Sequence, residues 1–160
     1  MDAQTLIEKL RLTPHHEGGW YRRTFEAGHR NKVDTEFGPR FTMTSIFYML
    51  TGDSPRGRWH ICRSDILHFW QMGSPLQYDL LHRDGHHERV ILGPDLDAGQ
   101  RLMFAVPGGV WKGTRLLGRD FGLLSEAVAP GFEYEDMRLA KAGELERLFP
   151  QQLDVIGSVD

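Results

Sequence analysis

Side chains that could bind a ligand or transfer a proton are concentrated in residues 58–70. Alternate residues of an extended strand share a face, so Arg58, His60 and Cys62 would lie together on one strand, and His68 and Trp70 on the next. Imidazole transfers protons near neutral pH, guanidinium pairs with carboxylate or phosphate, and indole stacks on flat groups. If both faces turn into one interior, they form a pocket for a small organic ligand.

Two further histidine clusters lie outside this stretch. His15-His16-Glu17 precedes two glycines, and His86-His87-Glu88 follows the turn sequence Asp84-Gly85. These side chains suit a divalent metal. However, the first cluster fits a polar loop at the end of the domain, and residues at hairpin turns usually face water. We therefore expect both clusters to be structural or surface groups.

The composition is that of an ordinary globular protein. The chain has 160 residues, of which 40% are hydrophobic, 26% charged and 11% aromatic, which is too apolar for a disordered protein and fits one domain. The formal net charge is -3, and no Lys/Arg cluster occupies an obvious helix face. Nucleic acid is therefore not an expected partner.

The single cysteine, the N-terminal residues and the short apolar runs indicate the compartment of the protein. Cys62 is a single cysteine, so no intrachain disulfide can form, and residues 1–12 are charged and amphipathic rather than an apolar signal sequence. The longest apolar run, residues 45–50, is far shorter than the roughly 20 residues of a membrane-spanning helix. We expect a cytoplasmic protein with no membrane association.

The elements that must position the candidate site are mostly strands. Leu6, Ile7, Leu10 and Leu12 recur at helical spacing before Pro14, which predicts a helix over residues 3–12. Runs rich in aromatic and β-branched residues then alternate with Gly, Pro, Asp and Asn. The predicted strands are residues 20–26, 41–51, 57–62, 66–72, 76–82, 87–92, 102–106, 110–116 and 121–129.

This pattern predicts an all-β domain. Many short strands without intervening helices form antiparallel sandwiches or barrels, and a closed jelly roll leaves no exposed edges. Leu145 and Leu148 stand at helical spacing before Pro150, so a short last helix over residues 142–149 should pack outside the sheets.

Five strings stand in order along nearly the whole chain, namely PHHEGGWYRRTF (14–25), TSIFYML (44–50), WHICRSD with a following aromatic and glycine (59–73), VPGGVWKG (106–113) and VAPGFEYEDMRL (128–139). Together they resemble a family of small bacterial and fungal cupins of the DUF985 type. The resemblance implies a double-stranded β-helix, the cupin jelly-roll barrel, with short N- and C-terminal helices. It implies a single cupin domain over residues 1–160, with the barrel at about 18–139, and commonly a homodimer.

Cupins generally bind a metal through histidines and a glutamate on one hairpin and a further histidine after a Pro-x-Gly turn. The resemblance places Ile66 at the glutamate position and Lys112 at the last histidine position. Isoleucine cannot ligate a metal, and a protonated lysine repels a cation. We therefore expect no cofactor; the alternative is a rearranged divalent metal site formed by His60, His68 and Asp65.

The resemblance also locates the ligand site at the barrel mouth, where it places His60. For a metal-independent reaction we expect His60 to be the base, Asp65 to orient it, and Lys112 or Arg58 to stabilise negative charge. For Lys112 the alternative is a solvated position at the end of its strand, because register near the turn can slip. The predicted ligand-binding residues are Arg58, His68, Trp70, Tyr78 and Trp111.

Three functions follow from this site. The first is a metal-independent isomerase, epimerase or lyase acting on a small anionic ligand that resembles a sugar or a nucleotide. The second is a non-catalytic small-molecule binding cupin, since no replacement nucleophile is evident. The third is a metal-dependent cupin oxygenase or lyase that uses His60 and His68.

Overall fold

In the computed structural model, which describes residues 1–159, strands form two facing antiparallel sheets and a small hairpin. The all-β prediction is confirmed. The strands are β1 (Thr13–Pro14), β2 (Trp20–Glu26), β3 (Val33–Thr35), β4 (Gly38–Arg40), β5 (Thr44–Thr51), β6 (Arg56–Cys62), β7 (Asp65–Gly73), β8 (Leu76–Leu81), β9 (His87–Leu92), β10 (Met103–Val106), β11 (Trp111–Leu116), β12 (Phe121–Ala129) and β13 (Met137–Leu139).

The order of the strands is that of a jelly roll rather than a meander. One sheet has the order β1-β2-β5-β12-β7-β10 and the other β13-β6-β11-β8-β9, while β3 and β4 pair only with each other. Strands that are far apart in sequence therefore become neighbours, as when β12 pairs with both β5 and β7. This strand order brings buried polar side chains from β6, β7, β11 and β12 into one interior.

The interior between the sheets is apolar at one end and polar at the other. Tyr48, Leu80, Phe104 and Leu124 belong to one buried cluster that spans both sheets. Strand alternation places their neighbours on the outer faces. The titratable side chains of the candidate site lie at the polar end, in contact with this cluster: the His68 and Phe104 rings are stacked with their centroids 4.7 Å apart.

Helices cover the outer face of each sheet. Helix α1 (Ala3–Leu10) begins after Asp2, whose carboxylate caps the Thr5 N–H, and it packs Leu6 against the six-stranded sheet. At the other end of the chain, α2 (Glu144–Leu148) and α3 (Leu153–Ile156) pack against the five-stranded sheet. None of the helices in residues 1–159 is long and apolar enough to cross a bilayer.

The nine predicted strands are all present, three of them with the predicted bounds. Short elements were not predicted, namely β1, β3, β4, β13, α3 and a 3-10 helix at Tyr134–Asp136. Each has two to four residues, so its sequence holds less than one period of an amphipathic pattern. Helix α1 ends two residues earlier than predicted, because Arg11 adopts a left-handed conformation at its C-cap.

Candidate functional site

A cavity of about 410 Å³ opens at the polar end of the barrel. Its floor is made by barrel strands, its side by the segment before β2, and its rim by the segment after β12. The lining residues include His15, Glu17, Arg22, Arg23, Ile46, His60, Cys62, Ile66, Lys112, Glu126, Val128, Phe132 and Tyr134.

The carboxyl of Glu17 and the imidazole of His60 form a buried pair on the cavity wall. His60 Nδ1 lies 2.8 Å from the carbonyl oxygen of Arg58. A carbonyl only accepts hydrogen bonds, so Nδ1 carries the imidazole proton and Nε2 of the neutral ring is an acceptor. Nε2 lies 3.0 Å from Glu17 Oε2, so a protonated Glu17 completes the hydrogen bond to it.

Burial favours this neutral form of the pair. It raises the pKa of Glu17 to about 8 and lowers the pKa of His60 to about 3. His15, which also lines the cavity, has its pKa lowered to about 4 by burial. At neutral pH the pair therefore holds one transferable proton, on the carboxyl group of Glu17.

The backbone of the segment before β2 fixes the position of Glu17. Its carbonyl oxygen accepts a hydrogen bond of 2.6 Å from the Arg58 N–H, which ties the segment to β6. Gly18 and Gly19 follow with φ of +105° and +73°. A Cβ on Gly18 would collide with the carbonyl oxygen of Arg56, so only glycine permits this close approach.

A second buried cluster lies on the cavity floor. The Lys112 Nζ lies 3.0 Å from His68 Nε2 and 3.8 Å from Glu126 Oε1. The same Nε2 lies 3.2 Å from Glu126 Oε1, so one imidazole nitrogen faces both an ammonium and a carboxylate. All three residues are buried, and Lys112 and Glu126 reach the cavity surface.

In this cluster the charges compensate each other. Burial acts to raise the pKa of Glu126, but Lys112 and His68 outweigh it and hold that pKa well below its ordinary value. Burial and the Lys112 charge lower the pKa of His68. The floor is therefore an ammonium–carboxylate pair with a neutral imidazole beside it, and Lys112 is not a solvated strand-end residue.

The structure brings together only part of the predicted catalytic set. His60 and Lys112 line the cavity, and His68 lies directly behind Lys112. Asp65 does not join them, because it is exposed and its carboxylate accepts the Gly108 N–H at 2.8 Å. The prediction that Asp65 orients His60 is thereby corrected: the carboxyl group beside His60 is that of Glu17.

The predicted stacking and cationic residues also lie elsewhere. Trp111 neighbours Lys112 in β11 and therefore faces the outside, where it packs under α2 and α3 and beneath the guanidinium of Arg138. Tyr78 and Trp70 pack in or against the apolar core and do not line the cavity. Arg58 is exposed and donates to the carbonyl of His16. These four do not form the pocket.

Sequence reasoning missed Glu17 and Glu126. The signal for Glu126 was available, because it lies between Leu124 and Val128 on the inward face of β12, where a carboxylate interrupts an apolar pattern. Glu17 gave a weaker signal, the two glycines after it. Its cluster was expected to be structural or on the surface, whereas Glu17 is buried in the cavity wall.

The rim of the cavity carries positive charge. Arg22 has a buried Nε without a hydrogen-bond partner, and it lines the cavity. Arg23 donates one of its five N–H groups to the carbonyl of Phe132 at 2.8 Å and lies 3.7 Å from Glu26, so its guanidinium is partly engaged within the protein. Arg11 lines the same cavity, together with the acidic Glu26 and Glu133, and Arg22 is the lining cation with a buried, unpartnered N–H that favours an anion nearby.

The barrel residues do not fit a metal. Ile66 has no donor atom, and the Lys112 ammonium occupies the hydrogen-bonding position in front of His68. In residues 1–159, the one set of three His, Cys, Asp or Glu donors within 4.8 Å of one another is His82, His86 and Glu88, in a different part of the molecule. We derive no chemical step through a metal in the barrel.

Residues 4–140 match the family described as the cupin superfamily (DUF985). The chain is 36% identical over 159 residues to the uncharacterized protein YML079W of Saccharomyces cerevisiae, and the match covers 91% of this chain and 79% of that protein.

Solved structures are similar over the whole chain. A hypothetical protein from Leishmania major superimposes with a TM-score of 0.91 at 31% identity, covering 99% of this chain and 98% of that one. Protein SO0799 from Shewanella oneidensis gives 0.89 at 28% identity, covering 100% and 98%. Oxalate decarboxylase from Bacillus subtilis gives 0.58 at 11% identity, covering 92% of this chain and 37% of that enzyme, which shows a shared fold alone.

Proposed function

This chain belongs to the cupin superfamily, in the DUF985 family, and from that premise we propose that its barrel binds a small anionic organic molecule and transfers a proton on it without a metal. The reaction class is isomerase, epimerase or lyase. The observation that carries the proposal is the buried Glu17–His60 pair on the cavity wall, joined at 3.0 Å. Such a pair can store and return a single proton.

The pair would act as one acid–base unit. The ionised form of Glu17 takes a proton from a ligand carbon next to a carbonyl group, and His60 Nε2 holds the resulting carboxyl group by a hydrogen bond. The reverse transfer returns a proton to the ligand. A carboxyl group with a pKa of about 8 is suited to this exchange near neutral pH, because both of its forms are then accessible.

Lys112 would stabilise the negative charge that develops on the ligand. Its ammonium has three N–H groups; one faces His68 and another faces Glu126. The remaining N–H can donate to an enolate oxygen in the cavity, where low polarity strengthens the interaction. Glu126 places a compensating carboxylate 3.8 Å from the Lys112 Nζ.

The rim supports an anionic ligand. The unpartnered Nε of Arg22 can form a charge-assisted hydrogen bond with a carboxylate or phosphate.

The Mn(II) centres named for Bacillus subtilis oxalate decarboxylase belong to that enzyme. In this barrel, Ile66 and Lys112 provide no comparable set of ligands.

The test is exchange of ligand protons with solvent. Purified protein would be incubated in D₂O with a panel of sugar phosphates, nucleotide sugars and 2-oxo acids, and loss of the α-proton followed by NMR. We expect exchange with at least one probe, a loss of 100-fold or more in Glu17→Gln and His60→Ala, and no change in the exposed-loop control His29→Ala.

Two results would overturn the proposal. Tight binding of a probe by calorimetry, without exchange or turnover, would support the non-catalytic binding cupin instead. Exchange that requires added Mn²⁺ or Fe²⁺, and that disappears with a chelator, would support the metal-dependent alternative.

A further inference from the structure

A second cluster of ligating side chains lies at the hairpin between β8 and β9, on a different strand pair from the barrel mouth. The turn is closed by two hydrogen bonds, from His82 N to His86 O at 3.1 Å and from Gly85 N to His82 O at 2.9 Å. Gly85 has φ of +90°, which this tight turn requires. The turn places the His82 and His86 rings face to face, 3.9 Å apart.

A carboxylate completes a three-donor arrangement. Glu88 Oε2 lies 3.3 Å from His82 Nε2, and the other carboxylate oxygen lies 3.6 Å from Arg101. Arg101 therefore pairs with Oε1 of Glu88 and leaves Oε2 available to bind an ion. One donor atom from each of His82, His86 and Glu88 lies within 4.8 Å of the other two.

We propose that His82, His86 and Glu88 bind a divalent transition-metal ion of the Zn²⁺ class. Donors around a tetrahedral zinc ion, with bonds of about 2.0–2.1 Å, lie about 3.3 Å apart. The distance between His82 and Glu88 already matches this spacing. A donor atom of the exposed His86 already lies within 4.8 Å of the other two donors, so a small adjustment of these side chains completes the set, and water takes the fourth position.

Asp84 provides an independent reason to assign this site. Its Oδ1 lies 2.7 Å from His86 Nδ1, and it also accepts the backbone N–H of His86 at 3.1 Å. A carboxylate on Nδ1 fixes the tautomer of the ring and leaves Nε2 free to ligate, which is the usual outer-shell arrangement of metal-bound histidines.

The hairpin is also held in place from outside. The side-chain amides of Gln151 and Gln152 donate to the carbonyl oxygen of Gly85 at 3.3 and 3.4 Å. The turn is thus attached to the segment between α2 and α3. A bound ion would stabilise the end of the β8–β9 hairpin and, through it, this C-terminal attachment.

The test is calorimetric titration of Zn²⁺ into tag-free protein stripped of metal. We expect one ion per chain, weaker binding at pH 5.5 than at pH 7.5 because protons compete for imidazole, and a higher melting temperature with the ion. His86→Ala and Glu88→Gln should each weaken binding at least tenfold, and Asp84→Asn about tenfold. The control His29→Ala should bind like the unmodified protein.

His86 is exposed, so its substitution leaves the fold intact, and circular dichroism would verify this. Absence of Zn²⁺ binding by the unmodified protein would overturn the proposal. Undiminished binding by His82→Ala together with His86→Ala would also overturn it, because the ion would then be held by other residues.

Discussion

At the cavity, two buried carboxyl groups take opposite protonation states because their neighbours differ. Glu17 faces a neutral imidazole nitrogen and keeps its proton, whereas Glu126 faces the Lys112 ammonium and loses it. Burial acts to raise both pKa values, so the outcome depends on the partner charge. Such divergence between two acids in one pocket is characteristic of acid–base sites.

The raised pKa of Glu17 makes the stability of the protein depend on pH. The pKa rises from 4.5 to about 8 on folding, so the favourable contribution of the protonated form is complete below pH 4.5 and is lost as pH rises through 8. A glutamine side chain at this position cannot ionise. At pH 4.5 we expect the free energy of unfolding of Glu17→Gln to be about the same as that of the unmodified protein. At pH 8 we expect the variant to be the more stable of the two, by about 1–3 kcal/mol of unfolding free energy.

Urea unfolding between pH 4.5 and pH 8 would measure the difference in unfolding free energy between Glu17→Gln and the unmodified protein. His15 and His60, whose pKa values are lowered, destabilise the fold as pH falls below 6.5, but they do so in both proteins. A difference in unfolding free energy that stays constant between pH 4.5 and 8 would contradict the assigned protonation of Glu17.

The Lys112–Glu126 pair predicts non-additive substitutions. Glu126→Leu leaves the buried ammonium without its carboxylate, and Lys112→Met leaves the buried carboxylate without its ammonium. Each substitution should therefore lower the free energy of unfolding by about 3–5 kcal/mol. The double variant has neither charge and should recover most of this loss. A double-mutant cycle by denaturant unfolding would measure the coupling, and additive costs would contradict a charge-compensated floor.

Strand parity predicted some site residues from sequence and could not predict others. His60, His68 and Lys112 turn inward as expected, since each lies in a regular strand. Trp111 could not share the pocket with its strand neighbour Lys112. Strand parity could not predict the position of Glu17, because that position depends on left-handed glycines and on the hydrogen bond between its carbonyl and β6.

At the scale of elements, the long strands were predictable because each holds several periods of alternation. The short hairpin of β3 and β4 and the pairing of β13 with β6 depend on contacts far away in sequence. The order of strands within the sheets came from the family resemblance, since a local pattern cannot distinguish a jelly roll from other sandwiches.

The C-terminal helices stabilise the five-stranded sheet through a small apolar cluster. Phe149 is buried in that cluster with Trp59 and Trp111, whereas the adjacent Leu148 is exposed. We expect Phe149→Ala to cost about 3–4 kcal/mol of unfolding free energy, and the matched control Leu148→Ala less than about 0.5 kcal/mol. Equal costs in thermal unfolding would show that α2 does not pack as described.

At the scale of the whole molecule, we propose the homodimer that the family resemblance implies. The outer face of β7 and the edge strand β10 expose Leu67 and Met103, at 37% and 48% of their surface. Light scattering should give twice the mass of the chain. Leu67→Glu should shift the protein toward monomer, and the control Leu96→Glu, in an exposed loop, should not; a monomeric unmodified protein would contradict the proposal.

The origin of Glu17 has an evolutionary consequence. The barrel strands supply His60, Lys112 and Glu126, but the acid that shares a proton with His60 comes from a separate segment before β2. Changes in that segment can replace or remove the acid while the interior packing of the strands stays as it is. For the proposed reaction, the barrel strands can thereby be inherited unchanged while substitutions beside the two glycines replace or remove the acid.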